Sequence, residues 1–243
     1  MINSKRVLDH PAFLLHHRAF RDSSQILEIL TQEHGRLALV ARGSRGGKSR
    51  YRGVLRPFLA LRMSWVIRSD LGTLTGAEIA GAPLVLTGKG LLSGYYVNEL
   101  LLNLLHKHDP QPDVFDLYDK TIRALSAGEQ LSATLRRFEG ELLKLIGYGL
   151  NLGCDAVSGE LIDPDKSYHY RVEQGPVETT VKTQSPSFSG RQLQAIAAQD
   201  FADSDVLRAA GLLFREVLAY HLDGKELKSR KVLLDLQRNL KKD

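Results

Sequence analysis

Residues 12–41, AFLLHHRAFRDSSQILEILTQEHGRLALVA, decide the fold. Three apolar or alternating runs, Ala12 to Leu15, Gln25 to Thr31 and Arg36 to Ala41, are separated by the polar turns Arg21-Asp22-Ser23-Ser24 and Glu33-His34-Gly35. That is the punctuation of short strands. Two further runs follow, Leu59 to Ser69 and Thr73 to Ala80, divided by Ser69-Asp70-Leu71-Gly72. Strands of this kind need closure or a partner sheet. Five of them in about seventy residues, interrupted by one long charged loop, predict a small barrel of the OB type over residues 1–80.

The interrupting loop is RGSRGGKSRYRGVLR, Arg42 to Arg56, with six basic residues (Arg42, Arg45, Lys48, Arg50, Arg52, Arg56) and no carboxylate. Glycines at 43, 46, 47 and 53 keep the backbone supple, and Tyr51 offers a flat face among the cations. Guanidinium forks suit phosphate oxygens and an aromatic face suits an unstacked base, so nucleic acid is the reading this pattern favours. The plainer reading is a solvated hairpin loop whose charge keeps the protein soluble.

Charge is unevenly spread. Residues 1–80 hold thirteen Lys and Arg against six Asp and Glu, and the remainder holds twenty against twenty-two, so the front is basic and the back nearly neutral. The single cysteine, Cys154, cannot form an internal disulfide or by itself build a thiolate zinc site. It fits a reducing compartment. No apolar run approaches the ~18 residues of a membrane span, and MINSKRVLDHPAF lacks the apolar centre of a signal peptide, so a cytoplasmic protein with no membrane partner is expected.

Near Gly81-Ala82-Pro83 the texture changes, and residues 81–243 read as a helical domain. Leu91, Leu92, Tyr95, Leu100, Leu101, Leu104 and Leu105 recur at helical spacing from Gly88 to His106, before Asp109-Pro110-Gln111-Pro112 stops them. A second helix runs from about Asp113 to Ser126. A third carries Leu131, Leu135, Phe138, Leu142 and Leu145, an apolar stripe that faces a core. Residues of about 150–185, with Pro164, Gly175, Pro176 and alternating Tyr168, Tyr170 and Val172, read as an irregular hairpin insert. Ser189 and Gln192 stand at capping-box spacing before Leu193 and Ile196, and Asp203 caps a longer helix through Leu207, Phe214 and Leu218. A last short helix follows Gly224 through Leu227, Leu233, Leu234 and Leu236. The fold class is therefore α+β: an N-terminal OB barrel, then a helical bundle with a small β-hairpin insert.

No complete catalytic motif stands in the chain. GSRGGKS, Gly43 to Ser49, resembles a phosphate-binding P-loop, but the pattern needs Gly where Arg42 stands, and Gly53 and Pro57 occupy the place of the phosphate-capping helix. His16-His17 and the pair His106 and His108 lack the i, i+4 spacing of a helical metal site, so no metal and no cofactor is expected. Asp109, Asp113, Asp116 and Asp119 surround a helix start, where carboxylates favour the positive end of the dipole. Cys154 reads as a structural thiol, and no nucleophile elbow is present. The chain is expected not to be an enzyme.

A longer series of segments then falls into order: AFLLHHRAFRDSSQILEILTQEHGRLALVARGSR, LRPF, GYYVNELLLNLL, LRRFEGELLKLIGYG, SGEL, FSGRQL and GKELKSR. Together, across nearly the whole chain, they resemble the RecO family of bacterial DNA-repair proteins. The resemblance implies an OB barrel and a helical C-terminal domain. It also implies a recombination mediator of the RecF pathway that binds single- and double-stranded DNA, anneals complementary strands and engages the single-strand-binding protein SSB. With RecR, such a mediator helps RecA load onto SSB-coated gaps at the nucleoid.

Carried to this chain, the resemblance makes Arg42, Arg45, Lys48, Arg50, Arg52 and Arg56 the DNA-facing cations of the barrel, with Tyr51 as a stacking platform. It makes Arg136, then Arg137, the cations for the acidic, aromatic-ended SSB tail; the competing reading pairs Arg136 with Glu139 or Glu141. Lys225, Lys228, Arg230 and Lys231 match a recurrent family segment and extend the DNA path, although on charge alone they are the face of an exposed terminal helix. Some relatives carry four zinc-binding cysteines after the GYG segment; only Cys154 stands there here, so an insert without zinc is expected. Two other classes stay open: an OB-fold RNA-binding or ribosome-associated protein, and an interaction scaffold whose basic loop meets an acidic partner.

Overall fold

The computed structural model describes residues 5–128, 130–180 and 186–232. Two compact units emerge, one built from the segments 1–129 and 227–243, the other from 130–226. No helix among the described residues is long and apolar enough to cross a membrane.

The first unit is organised by five strands, β1 (Lys5–Phe20), β2 (Ser24–Thr31), β3 (Gly35–Ala41), β4 (Ala60–Ile67) and β5 (Leu71–Ile79), closed in the order β1-β2-β3-β5-β4 with β4 returning to β1. Each expected strand is present, and β1 is longer than its apolar run. Closure leaves no free edge. All pairings are antiparallel except β3 with β5, where Ala38, Leu39 and Val40 meet Leu71, Gly72 and Thr73. Gly72 is needed at that crossing, because a β-carbon there would sit 2.6 Å from Leu39 Cδ2. Bulges interrupt β1 between Val7 and His10 and between Leu14 and His16, giving the bend that a narrow barrel requires.

The unbroken run Ala12-Phe13-Leu14-Leu15 has a simple cause. Ala12 and Leu14 join the barrel interior with Leu27, Ile29, Leu39 and Trp65, while Phe13 and Leu15, also buried, lie on the opposite face. That outer face meets two helices, α1 (Gly88–Leu104) and α2 (Pro112–Ala127). Phe13 lies 5.1 Å from the Phe115 ring and 4.8 Å from the Tyr118 ring. Buried Asn98 of α1 donates to the Leu15 carbonyl at 2.8 Å and accepts from the Tyr118 hydroxyl at 2.8 Å, joining strand and both helices in one satisfied polar chain. At the far end of α1, Arg36 of β3 donates to the Leu105 carbonyl at 3.2 and 3.0 Å and pairs with Glu28 at 2.9 Å. A cation there suits the negative end of the helix dipole.

Near Gly81 the strands give way to helices. Helices α1 and α2 fall in the same compact unit as the barrel, where they cover the second apolar face of β1.

The second unit contains α3 (Leu131–Leu145), a sheet of β6 (Ser167–Arg171), β7 (Gly175–Glu178) and β8 (Ser187–Ser189) in the order β7-β6-β8, then α4 (Gly190–Ala197) and α5 (Ser204–His221). The insert is thus a three-stranded sheet and not a lone hairpin: Ser187 to Ser189 pair antiparallel with His169 to Ser167. The capping box forms, with Gln192 N–H donating to Ser189 Oγ at 3.2 Å and Ser189 N–H donating to Gln192 Oε1 at 2.9 Å. Asp203 caps α5. After Gly224 the chain is helical at residues 228–232, and the expected positions Leu233, Leu234 and Leu236 lie outside the described residues.

Candidate nucleic-acid interface

The basic loop joins β3 to β4, and its own side chains hold it in place. Tyr51, Leu55 and Leu59 are buried in the barrel core, so the loop folds back onto the barrel it interrupts. Successive turns stiffen it: Ser49 N–H donates to the Gly46 carbonyl at 2.9 Å, Arg52 N–H to Ser49 at 3.1 Å and Val54 N–H to Tyr51 at 3.1 Å. Gly43 and Gly53 take φ of +65° and +80°, the left-handed conformation that glycine adopts without steric cost. At its exit, Phe58 packs against α1, 5.1 Å from the Tyr95 ring, and a β-carbon on Gly94 would lie 2.8 Å from the Phe58 ring.

On this base Arg42, Arg45, Lys48, Arg50, Arg52 and Arg56 are all exposed. Three are tethered by neutral acceptors: Arg45 by the carbonyls of Arg21 and Asp22 at 3.3 and 3.4 Å, Arg50 by the Thr75 carbonyl at 2.9 Å, and Arg52 by the Gly47 carbonyl at 3.4 Å. None of the six forms an ion pair among the described residues. The loop therefore holds its positive charge in an ordered display without internal neutralisation.

Tyr51, expected as a stacking platform, is buried and not displayed on the surface. The residue is 5% exposed, the Arg50 guanidinium lies 4.8 Å from its ring centroid, and Arg50 Nη2 donates to its hydroxyl at 2.7 Å. An aromatic among arginines is as well placed to plug a barrel as to meet a base, and burial decides for the plug. Another aromatic lies close to the loop. Arg45 N–H donates to the Ser23 carbonyl at 3.0 Å, which brings the β1–β2 turn beside the loop. That turn carries Arg21, exposed, with its guanidinium 5.2 Å from the centroid of half-buried Phe20. The only sequence signal for this pair was an aromatic next to an arginine at a turn.

The expected tail-binding residues lie on α3 of the second unit. Arg136 is mostly buried, its side chain 17% exposed, and pairs with fully buried Glu139 at 2.7 Å, while a β-carbon on Gly211 of α5 would lie 3.0 Å from its guanidinium. The competing reading, an ion pair along the helix, is thus the arrangement present. Arg137 is exposed, with its guanidinium 5.8 Å from the Phe201 ring centroid.

In the C-terminal cluster Lys225, Lys228 and Lys231 are exposed and Arg230 is half-buried. Glu99 of α1 accepts from the backbone N–H of Lys228 and Ser229, both at 2.9 Å, and from the Ser229 hydroxyl at 2.6 Å. A carboxylate at a helix start is a favourable cap. It also places one negative charge beside this basic segment.

A carboxylate organises the insert. Asp155 accepts from the N–H groups of Val157 at 2.8 Å, Ser158 at 2.7 Å and Glu178 at 2.6 Å, tying its own turn to β7. These bonds, led by Ser158, outweigh the opposing effect of burial and hold its carboxyl down to about 2. Cys154 is a free, half-buried thiol.

A closed five-stranded barrel of this order, carrying a long basic β3–β4 loop and followed by a mostly helical half, defines an OB-barrel protein. Comparison with known proteins is specific. Residues 6–83 match the family model described as Recombination protein O N terminal, and residues 87–231 match Recombination protein O C terminal. The chain is 42% identical over 229 residues to the DNA repair protein RecO of Methylococcus capsulatus, covering 94% of this chain and 93% of that one. It is 42% identical over 234 residues to that of Nitrosococcus oceani (96% and 95% covered) and 39% identical over 240 residues to that of an Azoarcus species (97% and 99% covered). The chain belongs to the RecO family of DNA repair proteins.

Proposed function

We propose that this chain is a recombination mediator that binds single- and double-stranded DNA, anneals complementary strands, and with RecR helps RecA replace SSB on single-stranded gaps. The observation that carries the reading is the display of six exposed, unneutralised cations on a loop anchored in the barrel core. Cations aligned this way displace counterions from phosphates and lower the repulsion between two strands while their bases search for register. Annealing in this scheme consumes no nucleotide, and the protein makes and breaks no covalent bond. Contacts through phosphates are blind to sequence. The protein works in the cytoplasm, at the nucleoid.

For the acidic tail of SSB, exposed Arg137 above Phe201 is the first cation, and Arg136, engaged by Glu139, is the second. Arg137→Ala should weaken binding of a tail peptide about tenfold, equal to 1.4 kcal/mol, as read by fluorescence anisotropy.

The test of the whole reading is annealing of SSB-coated complementary oligonucleotides by wild type and by a variant with Arg42→Ala, Lys48→Ala and Arg56→Ala. Those three residues are exposed, and their side chains make no tether among the described residues. Annealing by the wild type, lost in the variant, supports the proposal. Equal annealing by both removes the loop from the mechanism, and preferential binding of structured RNA over single-stranded DNA by the wild type assigns the barrel to RNA.

A further inference from the structure

Histidine spacing along the chain pointed to no metal ligands, but the barrel brings together residues that are distant in sequence. The β1 bulge between Val7 and His10 lies near one end of the barrel. The β2–β3 turn, carrying Glu33 and His34, lies at the same end because Ala12 of β1 pairs with Thr31 of β2. Ligand atoms of His10, Glu33 and His34 all fall within 4.8 Å of one another. The imidazole centroids are 4.8 Å apart, and Glu33 N–H donates to His10 Nε2 at 3.4 Å. Behind both rings stands Trp65, fully buried and perpendicular to each, with centroids 5.7 and 5.6 Å away. The indole closes one side of the cluster to water.

We propose that His10, Glu33 and His34 bind one divalent transition-metal ion of the zinc class, through two imidazoles and one carboxylate, with water in the fourth position. Mixed nitrogen and oxygen donors suit borderline ions of this kind, whereas magnesium and calcium favour oxygen alone. Around a tetrahedral zinc, neighbouring donor atoms lie about 3.3 Å apart. The donors here reach that spacing by side-chain rotation, for which exposed Glu33 has ample freedom.

Asp9 pairs with Arg62 at 2.7 Å and so offsets the nearest guanidinium charge. The bound ion would fasten the bulged part of β1 to the β2–β3 turn, just beyond Ala12 and Thr31, where the ladder of those two strands ends. This role is separate from the DNA-binding reading and from Cys154.

The experiment is titration of chelator-treated, full-length protein with zinc chloride by calorimetry and with cobalt(II) by visible absorption. Wild type should bind one equivalent of zinc and show the intense cobalt band of a four-coordinate site. His34→Ala should lose the band and weaken zinc binding about tenfold or more. Glu33→Gln, on an exposed turn, should retain the fold by circular dichroism and also weaken binding, while Cys154→Ser and His16→Ala bind like wild type. Absence of saturable one-to-one binding by the wild type overturns the proposal. So does unchanged affinity in folded Glu33→Gln and His34→Ala, which would place the ion on other ligands.

Discussion

Asp155 and Tyr51 show how much one side chain decides. The Asp155 carboxylate serves three backbone N–H groups of the insert, so Asp155→Ala leaves those donors without their acceptor and should cost about 2–3 kcal/mol in urea unfolding. Its folded pKa of about 2 lies below the ordinary carboxylate value of about 3.9. The stabilisation is therefore complete above about pH 4 and is lost as pH falls towards 2. Wild type should lose stability over that window by a steeper slope than Asp155→Asn. At Tyr51 the prediction separates packing from binding. Tyr51→Leu keeps an apolar plug but removes the ring, so it should cost about 1–3 kcal/mol of stability and leave single-stranded DNA affinity unchanged. A stacked base would instead contribute about 1–3 kcal/mol to binding, and an affinity loss of that size in the folded variant would show that a base reaches the ring.

At the scale of elements, helix α1 is held to the barrel by polar contacts as well as by apolar ones. Asn98→Ala strips the Leu15 carbonyl and the Tyr118 hydroxyl of their buried partner at once. A loss of about 2–4 kcal/mol is expected, read from the denaturation midpoint, since each orphaned buried group costs about 1–3 kcal/mol. The capping box at α4 is a local device, and Ser189→Ala should cost about 1 kcal/mol without touching the barrel. Elements with such local signals were legible: the Ser189 and Gln192 spacing, the Asp203 cap and the apolar stripe of α3 each led to the helix that forms. Strand β8 was not, because three residues, Ser187 to Ser189, are too few to show a period and depend on β6 for their conformation.

For the whole molecule the decisive quantity is where charge is concentrated. The formal charge of +5 is modest, and the triple variant of Arg42, Lys48 and Arg56 lowers it only to +2. If those cations meet phosphates, the slope of log affinity against log salt for single-stranded DNA should become shallower by about 2, as three lost contacts require. An equal slope in variant and wild type would mean that the phosphates lie elsewhere, and the same substitutions at Lys225, Lys228 and Lys231 then become the comparison. The cations themselves were plain in the sequence. Their freedom from carboxylates in space was not, since that depends on which strands and turns surround the loop.

The sequence alone determined what is local in cause: five strands from alternation and turns, the helices from periodicity and caps, the basic loop from composition, and the family from the order of its segments. Tertiary structure alone decided what depends on contacts between distant residues. It turned Tyr51 inward, packed Arg136 against Gly211 of α5, set Arg21 beside the basic loop, joined α1 and α2 to the barrel, and gathered His10 with Glu33 and His34. The physical reason is common to all of these. Periodicity and capping act over a few residues and leave their mark in the chain, whereas burial and charge pairing depend on what the closed barrel and its neighbours bring alongside.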